Sequence, residues 1–253
     1  MLGRMPTPQV ITLLKASGPA KAAATLLTFP GDRIGVLLAA MPPADLAGVL
    51  AASTAAQRSQ LLPGMTAEKT LLVLAELTTG QVADVLAAMP PAPAAALLSA
   101  APAPEAGRIL SVLPEGTRVA VLELMAPDRA ADVLAARYEQ RVINSVSRIT
   151  RRVFRLPWPT CDLTAGVLHR SVHVAVRYHG RRALADQEVW EVATAADWNN
   201  IAGIAVVTDA ELTDAVLRYG STVDAAGYPL ELLRWTSEED DGALKRALVR
   251  LGG

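Results

Sequence analysis

Nine arginines lie between residues 140 and 182, and Asp162 is the only acidic residue in that stretch. A planar guanidinium group binds phosphate oxygens through paired hydrogen bonds, so clustered arginines are typical of phosphate-binding surfaces. Residues 183–253 carry thirteen acids and five bases, and ion pairing within the same domain is therefore the alternative use of these arginines. The sequence predicts a nucleic-acid contact made by Arg148, Arg151, Arg152, Arg155, Arg177 and Arg181.

Three histidines, His169, His173 and His179, lie close together in the chain and raise the question of a zinc site. On one extended strand His173 and His179 would be about 20 Å apart, which is too far to share an ion. His169 and His173 could face each other across a turn, but two ligands do not complete a site. Cys161 is the only cysteine, which excludes an internal disulfide and a cysteine-cluster site. The sequence predicts no metal site and no cofactor.

The segment after residue 137 alternates helical and β-type stretches, which is typical of an α/β domain with a mixed sheet. Trp190 and Trp198, eight residues apart, are predicted on the inner face of a helix. Trp158, in a loop with two prolines, is a candidate for base stacking. We predict helices over 138–150, 183–198, in ELTDAVLRYG and after Ser237, a loop over 156–160, and strands in DLTAGVL, SVHVAVRY, GIAVVT and LELLRW.

A twelve-residue repeat fills the first half of the chain. Eleven units run from Pro6 to Arg137, and three of them read PGDRIGVLLAAM, PPADLAGVLAAS and TTGQVADVLAAM. The ninth place is leucine in all eleven units, and the first place is proline or threonine in nine. Apolar residues at the fifth, eighth, ninth and twelfth places share one helical face. Proline in the first turn and threonine caps are typical of helix starts, so each unit is predicted to be one short helix.

Helices of eight or nine residues, about 12–14 Å long, do not persist alone in water, so the units must stack on one another. The predicted fold class is an all-helical right-handed solenoid over residues 1–137, followed by an α/β domain with a mixed sheet over 138–253. Apolar types make up 51% of the chain and aromatics only 4%. The core must therefore be built mainly from alanine, leucine and valine.

The stretches LAAMPPADLAGVLAAS and APDRAADVLAAR resemble the intracellular N-terminal domain of MgtE-type magnesium transporters, and more loosely the middle domain of flagellar motor-switch proteins. The resemblance covers residues 6–137 and implies a superhelix of stacked helices. In the transporters this domain is acidic and helps to sense magnesium, whereas residues 1–137 carry ten basic and ten acidic side chains. We therefore expect this segment to share the fold of the transporter domain but not to take part in transport.

Residues 138–235 resemble Mrr-type restriction endonucleases of the PD-(D/E)xK nuclease fold. The resemblance lies in the strand VHVAVRYHG, the segment AGIAVVTDAELTDAV and the last strand LELLRW. It implies a restriction-endonuclease-like fold with an acid on the first helix, an Asp where a hairpin opens, and Gln/Glu-x-Lys on the second strand. Glu139 and Asp162 take the first two places, but Ala175 and Arg177 replace the Gln/Glu and the Lys.

Phosphodiester hydrolysis in this fold requires two or three carboxylates around magnesium. Ala175 offers no ligand, and Arg177 stays protonated and cannot activate water. Some branches of the fold place the acid on the following helix, where Glu188 and Glu191 lie three residues apart. A nuclease-like domain that has lost cleavage is the favoured interpretation, with candidate catalytic residues Asp162, Arg177, Glu139, Glu188 and Glu191.

The favoured function is that of a non-catalytic bacterial adaptor. Its solenoid is expected to bind a protein partner, and its pseudo-nuclease domain is expected to contact nucleic acid, with double-stranded DNA as the first candidate. The first alternative is an active magnesium-dependent Mrr-like DNA endonuclease, the only reading that requires Mg²⁺. The second is a structural subunit that assembles as a homo-oligomer. Apolar stretches fall short of the roughly 18–20 residues that span a bilayer, and the N-terminus lacks the layout of a signal peptide. We therefore expect a cytoplasmic protein without a membrane span.

Overall fold

The structure is a computed structural model that describes residues 5–150, 152–155, 163–180 and 182–253. Its internal contacts divide the chain into two compact units, Met1–Val133 and Leu134–Gly253. The predicted domain boundary after residue 137 falls inside a long helix that runs from Pro127 to Ile149. Within the described ranges no helix combines the length and apolarity needed to cross a membrane.

The first unit contains one helix for each predicted repeat. Every helix begins one residue after the first place of its unit, so the twelve-residue phase is confirmed. The helices are α1 (Thr7–Ser17), α2 (Pro19–Leu26), α3 (Gly31–Ala40), α4 (Pro43–Ala52), α5 (Ala55–Leu61), α6 (Ala67–Ala75), α7 (Thr79–Ala87), α8 (Pro91–Ala100), α9 (Ala103–Val112), α10 (Glu115–Leu124) and α11 (Pro127–Ile149).

The first place of each unit is the N-cap residue. Thr54 accepts a hydrogen bond from the Gln57 amide, and Thr66 and Thr78 cap their helices in the same way. The prolines at this place lie one residue earlier than expected. They precede the first turn, with a ψ of 150° at Pro30, and the Pro30 carbonyl accepts the first helical hydrogen bond. Proline favours this extended geometry, so it fixes the corner between consecutive helices.

Leucines at the ninth place form the spine of the first core. Nine of the eleven are buried, Leu86 among them at 0% exposure, while Leu122 and Leu134 are half-buried. Many helices pack against the helix two units away, as in the series α2, α4, α6, α8 and α10. This stacking explains why no single unit is stable alone. The right-handed sense of the solenoid stays a prediction.

The second unit is built around a five-stranded mixed sheet in the order β1-β2-β3-β4-β5. Strands β1, β2 and β3 pair antiparallel, and β3, β4 and β5 pair parallel. The predicted α/β class with a mixed sheet is confirmed, and β1 is a strand that the sequence did not predict. The elements after α11 are β1 (Arg152–Arg155), β2 (Leu163–Val167), β3 (Arg170–Arg177), α12 (Asp186–Ala195), β4 (Gly203–Thr208), α13 (Asp214–Ala225), β5 (Leu230–Arg234) and α14 (Asp241–Gly252).

Helices cover the two faces of this sheet unequally. On one face α11 and α14 bury Val146 and Leu248 against β2, β3 and β4. On the other face α12 and α13 bury Val189 and Val216 against β3, β4 and β5. Phe154 on β1 is 61% exposed and belongs to the second face, because it pairs through Thr164 with His173, two residues from Ala175 of the core. The β1–β2 part of that face is thus a surface groove.

Candidate functional site

The groove on the β1–β2–β3 surface has a volume of about 450 Å³. Arg152 on β1 pairs with Gly166 on β2, which pairs with Ser171 on β3, so these side chains lie in one row across the sheet. Arg152 and Arg170 are exposed, and so is Phe154. The groove is lined by Arg152, Phe154, Thr164, Gly166, Leu168, His169, Arg170 and Ser171.

A glycine on β2 and a left-handed turn residue shape the groove. A Cβ atom at Gly166 would lie 3.1 Å from the Cβ of Arg152, so glycine leaves room for the arginine stem to cross the hairpin. Leu168, in the turn between β2 and β3, has a φ of 53°. That left-handed conformation is uncommon for a leucine. It places Leu168 at the rim, where the side chain is 72% exposed.

The side chains of the groove combine two binding chemistries. Guanidinium groups bind phosphate oxygens, and an exposed aromatic ring offers a face on which a nucleobase can stack. Arg152 was among the predicted nucleic-acid contacts, but Phe154 and His169 were not. If RVFR is taken as a strand, period-two alternation separates the inward-packed Val153 from the exposed Arg152 and Phe154 and so indicates Phe154. His169 lies in the turn between β2 and β3, where this alternation does not apply.

The predicted arginine cluster is divided between several places. Arg148 forms ion pairs of 3.1 Å with Glu238 and with Asp241, the intra-domain pairing that was the alternative interpretation. Arg155 is the last residue of β1. Arg151, Arg181, Asp162 and the loop with Trp158 lie outside the described residues.

Arg177 lies at the far end of β3 from the groove. It pairs with Thr208 at the end of β4, six residues beyond Ser171, which corresponds to about 20 Å along a strand. Its guanidinium donates a hydrogen bond of 2.7 Å to the carbonyl oxygen of Val176. Arg177 and Arg152 therefore do not belong to one phosphate site.

A hydrogen-bonded chain of side chains lies beside Arg177. The His179 ring is 3.1 Å from the Thr208 hydroxyl through Nδ1 and 2.9 Å from Glu188 through Nε2. The His179 amide donates to Asp209, and the Ala185 amide donates to the second carboxylate oxygen of Glu188. The expectation of one extended strand through His173 and His179 is wrong, because β3 ends at Arg177 and His179 belongs to the following loop.

The Thr208–His179–Glu188 chain has the order of a nucleophile, a base and an orienting acid. Thr208 is fully buried, however, and its hydroxyl also accepts a hydrogen bond from the Ala210 amide. A substrate therefore has no path to this oxygen. These hydrogen bonds hold the loop between β3 and α12 in place, and the three side chains do not form a reactive triad.

Glu188 is held ionised by this loop. Partial burial acts to raise its pKa, but the hydrogen bonds from Ala185 and His179 and the charge of Arg177 together lower the pKa below its usual value of 4.5. His173 behaves differently, since burial lowers the pKa of its ring and Asp197 only partly opposes that shift. Its Nδ1 atom has no hydrogen-bond partner among the residues that the structure describes.

The remaining catalytic candidates are scattered. Ala175 is fully buried in the core beneath α12, and Glu191 is exposed and accepts a hydrogen bond from Gln187. Glu139 is half-buried on α11, directly after Tyr138, whose ring centroid lies 5.7 Å from that of Tyr178. Among the residues that the structure describes, no three metal-ligating side chains form a group that could hold an ion.

The predicted inward position of Trp190 is wrong. Its side chain is 51% exposed, because the buried face of α12 carries Val189, Val192 and Ala193 instead. Trp198 lies beyond the end of α12 and is half-buried. The two tryptophans therefore do not lie on one face of a single helix, as their spacing had predicted.

The family comparison concerns the helical unit. The family model of the MgtE intracellular N domain matches residues 17–108 and, in a second alignment, residues 41–141. The two matches begin two repeat units apart, which is the spacing at which the helices pack on one another. The chain is also similar to the crystal structure of the soluble part of a magnesium transporter, with 13% identity, coverage of 80% of this chain and 68% of that chain, and a TM-score of 0.42. No curated protein matches the chain. The helical unit is thus similar to the MgtE intracellular N domain.

Proposed function

We propose that this protein is a non-catalytic adaptor whose α/β unit contacts nucleic acid and whose helical unit binds a protein partner. The observation that carries the nucleic-acid role is the groove of Arg152, Arg170 and Phe154. Positive charge that tracks a phosphate backbone, beside an aromatic ring for a base, is the usual composition of a nucleic-acid surface. The protein is proposed to act in the cytoplasm.

The α/β unit is proposed to be a restriction-endonuclease-like domain that no longer cleaves. The order β2–β3 hairpin, α12, β4, α13 and β5 supports this, since the resemblance to Mrr-type nucleases implies the same order. Three features support the loss of cleavage. Ala175 has no ligand atom, Arg177 replaces the lysine, and the carboxylate of Glu188 is engaged by His179.

The partner role of the helical unit is supported by an apolar groove of about 380 Å³ between α5, α6 and α8. Met65 and Met89 line it together with Leu97, and flexible methionines adapt to varied apolar surfaces. We propose that an amphipathic helix of a partner protein lies in this groove. A second copy of this chain is the competing occupant.

The nucleic-acid role is tested with the full-length chain and fluorescently labelled duplex and single-stranded oligonucleotides. We expect affinity to fall with salt, and the double variant Arg152→Gln/Arg170→Gln to lower the log–log salt slope by about two. Arg218→Gln on α13 is the matched control, because it removes a charge from an exposed arginine outside the groove. Binding that the double variant leaves unchanged would refute the role.

The partner role is tested with Ala96→Glu, which places a charge in the apolar groove. Ala92→Glu is the control, since Ala92 is exposed on the same helix but does not line the groove. We expect loss of a co-purifying partner only with Ala96→Glu. A concentration-dependent rise in mass by light scattering, abolished by Ala96→Glu, would assign the groove to self-assembly instead.

A further inference from the structure

Four of the ten aromatic residues of this chain line one pocket on the surface of the second unit. The pocket lies between α12 and α13 and has a volume of about 370 Å³, near the lower end of small-molecule sites. It is separate from the β1–β2–β3 groove and shares no residue with it. Its aromatic side chains are Trp190, Trp198, Tyr219 and Tyr228.

The backbone and hydrogen bonds hold these rings in place. The indole N–H of Trp198 donates a 2.8 Å hydrogen bond to the Ala193 carbonyl, so this donor is used inside the fold. Gly227, with a φ of 92°, ends α13 in a left-handed turn, and the Tyr228 amide then bonds back to the Val223 carbonyl. The turn brings Tyr228 to Trp198, with 5.2 Å between ring centroids.

The pocket combines aromatic walls with an uncharged lining. None of its lining residues is charged, and its threonine hydroxyls, on Thr194 and Thr222, donate to carbonyls of their own helices. Trp and Tyr faces attract cations.

We propose that this pocket binds a small quaternary ammonium compound of the choline type. An ammonium group with N–H donors would lose its water without a lining carboxylate to replace it, and that loss is costly. A quaternary ammonium has no N–H donor to satisfy, so ring faces alone suffice. Trp190 is half exposed and lines the pocket.

The test compares choline with 3,3-dimethylbutan-1-ol, which has the same shape with a carbon in place of the charged nitrogen. Binding to the full-length chain is measured by calorimetry and by tryptophan fluorescence at constant ionic strength. We expect choline to bind at least about tenfold more tightly than the alcohol. Equal binding of the two compounds, or no binding of choline at millimolar concentration, would overturn the proposal.

Three variants locate the site. Trp190→Phe weakens choline binding and Trp190→Leu weakens it further, because the order Trp, Phe, Leu follows the strength of the ring face. Leu217→Ala is the control, since Leu217 is exposed on α13 but does not line the pocket. Parent-like binding by Trp190→Leu refutes the site. A trimethyl-lysine peptide that binds more than tenfold tighter than choline refutes the assignment to a small molecule.

Discussion

The Nε2 atom of His179 lies 2.9 Å from the carboxylate of Glu188, and this contact joins the loop after β3 to the first turn of α12. The other oxygen of Glu188 accepts from the Ala185 amide, so both oxygens are engaged. On the opposite side of the ring, Nδ1 lies 3.1 Å from the hydroxyl of the buried Thr208 at the end of β4. One histidine therefore ties together two parallel strands and a helix, at the sheet edge where α/β proteins often place their sites.

This contact predicts a pH-dependent contribution to stability. The folded-state pKa of Glu188 lies below its usual value of 4.5. The stabilisation is therefore present above that value and is lost as the pH falls through the folded-state pKa. We expect Glu188→Gln to cost about 1 kcal/mol at neutral pH, a modest figure because the carboxylate is partly exposed. The difference in unfolding free energy between this variant and the parent should disappear at acidic pH. Urea unfolding across the pH range measures it.

Glu191→Gln is the matched control for that experiment. Glu191 lies on the same helix, is exposed, and its carboxylate accepts a hydrogen bond from Gln187. Its replacement should leave the free energy of unfolding nearly unchanged at every pH. Equal effects of the two substitutions would show that the His179 contact contributes nothing.

A second prediction concerns the repeat. Leu86 is fully buried at the ninth place of its unit, and Asp84, two residues earlier, is exposed. We expect Leu86→Asp to destabilise the helical unit by more than about 3 kcal/mol, because it places an unpaired carboxylate in an apolar core. Asp84→Asn should be nearly silent. Similar thermal shifts for the two variants would contradict the repeat phase.

The helical unit could be predicted almost residue by residue because its signals are local. A capping residue and a ninth-place leucine recur in each unit, and neither requires knowledge of distant contacts. Strand β1 could not be predicted in the same way. Its four residues form a strand only through pairing with β2, and residues 156–162 separate the two strands in the sequence.

The candidate site was predictable only in part, because counting charges does not reveal their partners. Arg148 belongs to the basic stretch, but Glu238 and Asp241 reach it from the other end of the domain. Arg152 and Arg177 both lie in that stretch, yet β1 and β3 place them far apart. The aromatic pocket was missed because Tyr228 reaches Trp198 through the turn at Gly227. Helical spacing does not encode such a contact.

A third prediction separates stacking from charge in the β1–β2–β3 groove. Phe154→Ala removes the exposed ring but leaves Arg152 and Arg170 in place. Stacking of one base is worth about 1–3 kcal/mol, so single-stranded affinity should fall at least about fivefold with little change in the salt slope. Duplex affinity should change less, because paired bases are not free to stack. Leu168→Ala, at the rim of the same groove, is the control for loss of exposed apolar area.

The last prediction concerns chemistry. We expect no magnesium- or manganese-dependent cleavage of plasmid DNA by the full-length protein. A phosphodiester-cleaving site normally holds its ion with at least two carboxylates, and Ala175 supplies none. Arg177 can bind a phosphate but cannot activate water, because a guanidinium group stays protonated in proteins. Cleavage that disappears in Asp162→Asn would overturn this expectation, and Glu139→Gln would then test the second carboxylate. Asp186→Asn, an exposed acid at the start of α12, is the matched control that should leave any such cleavage unchanged.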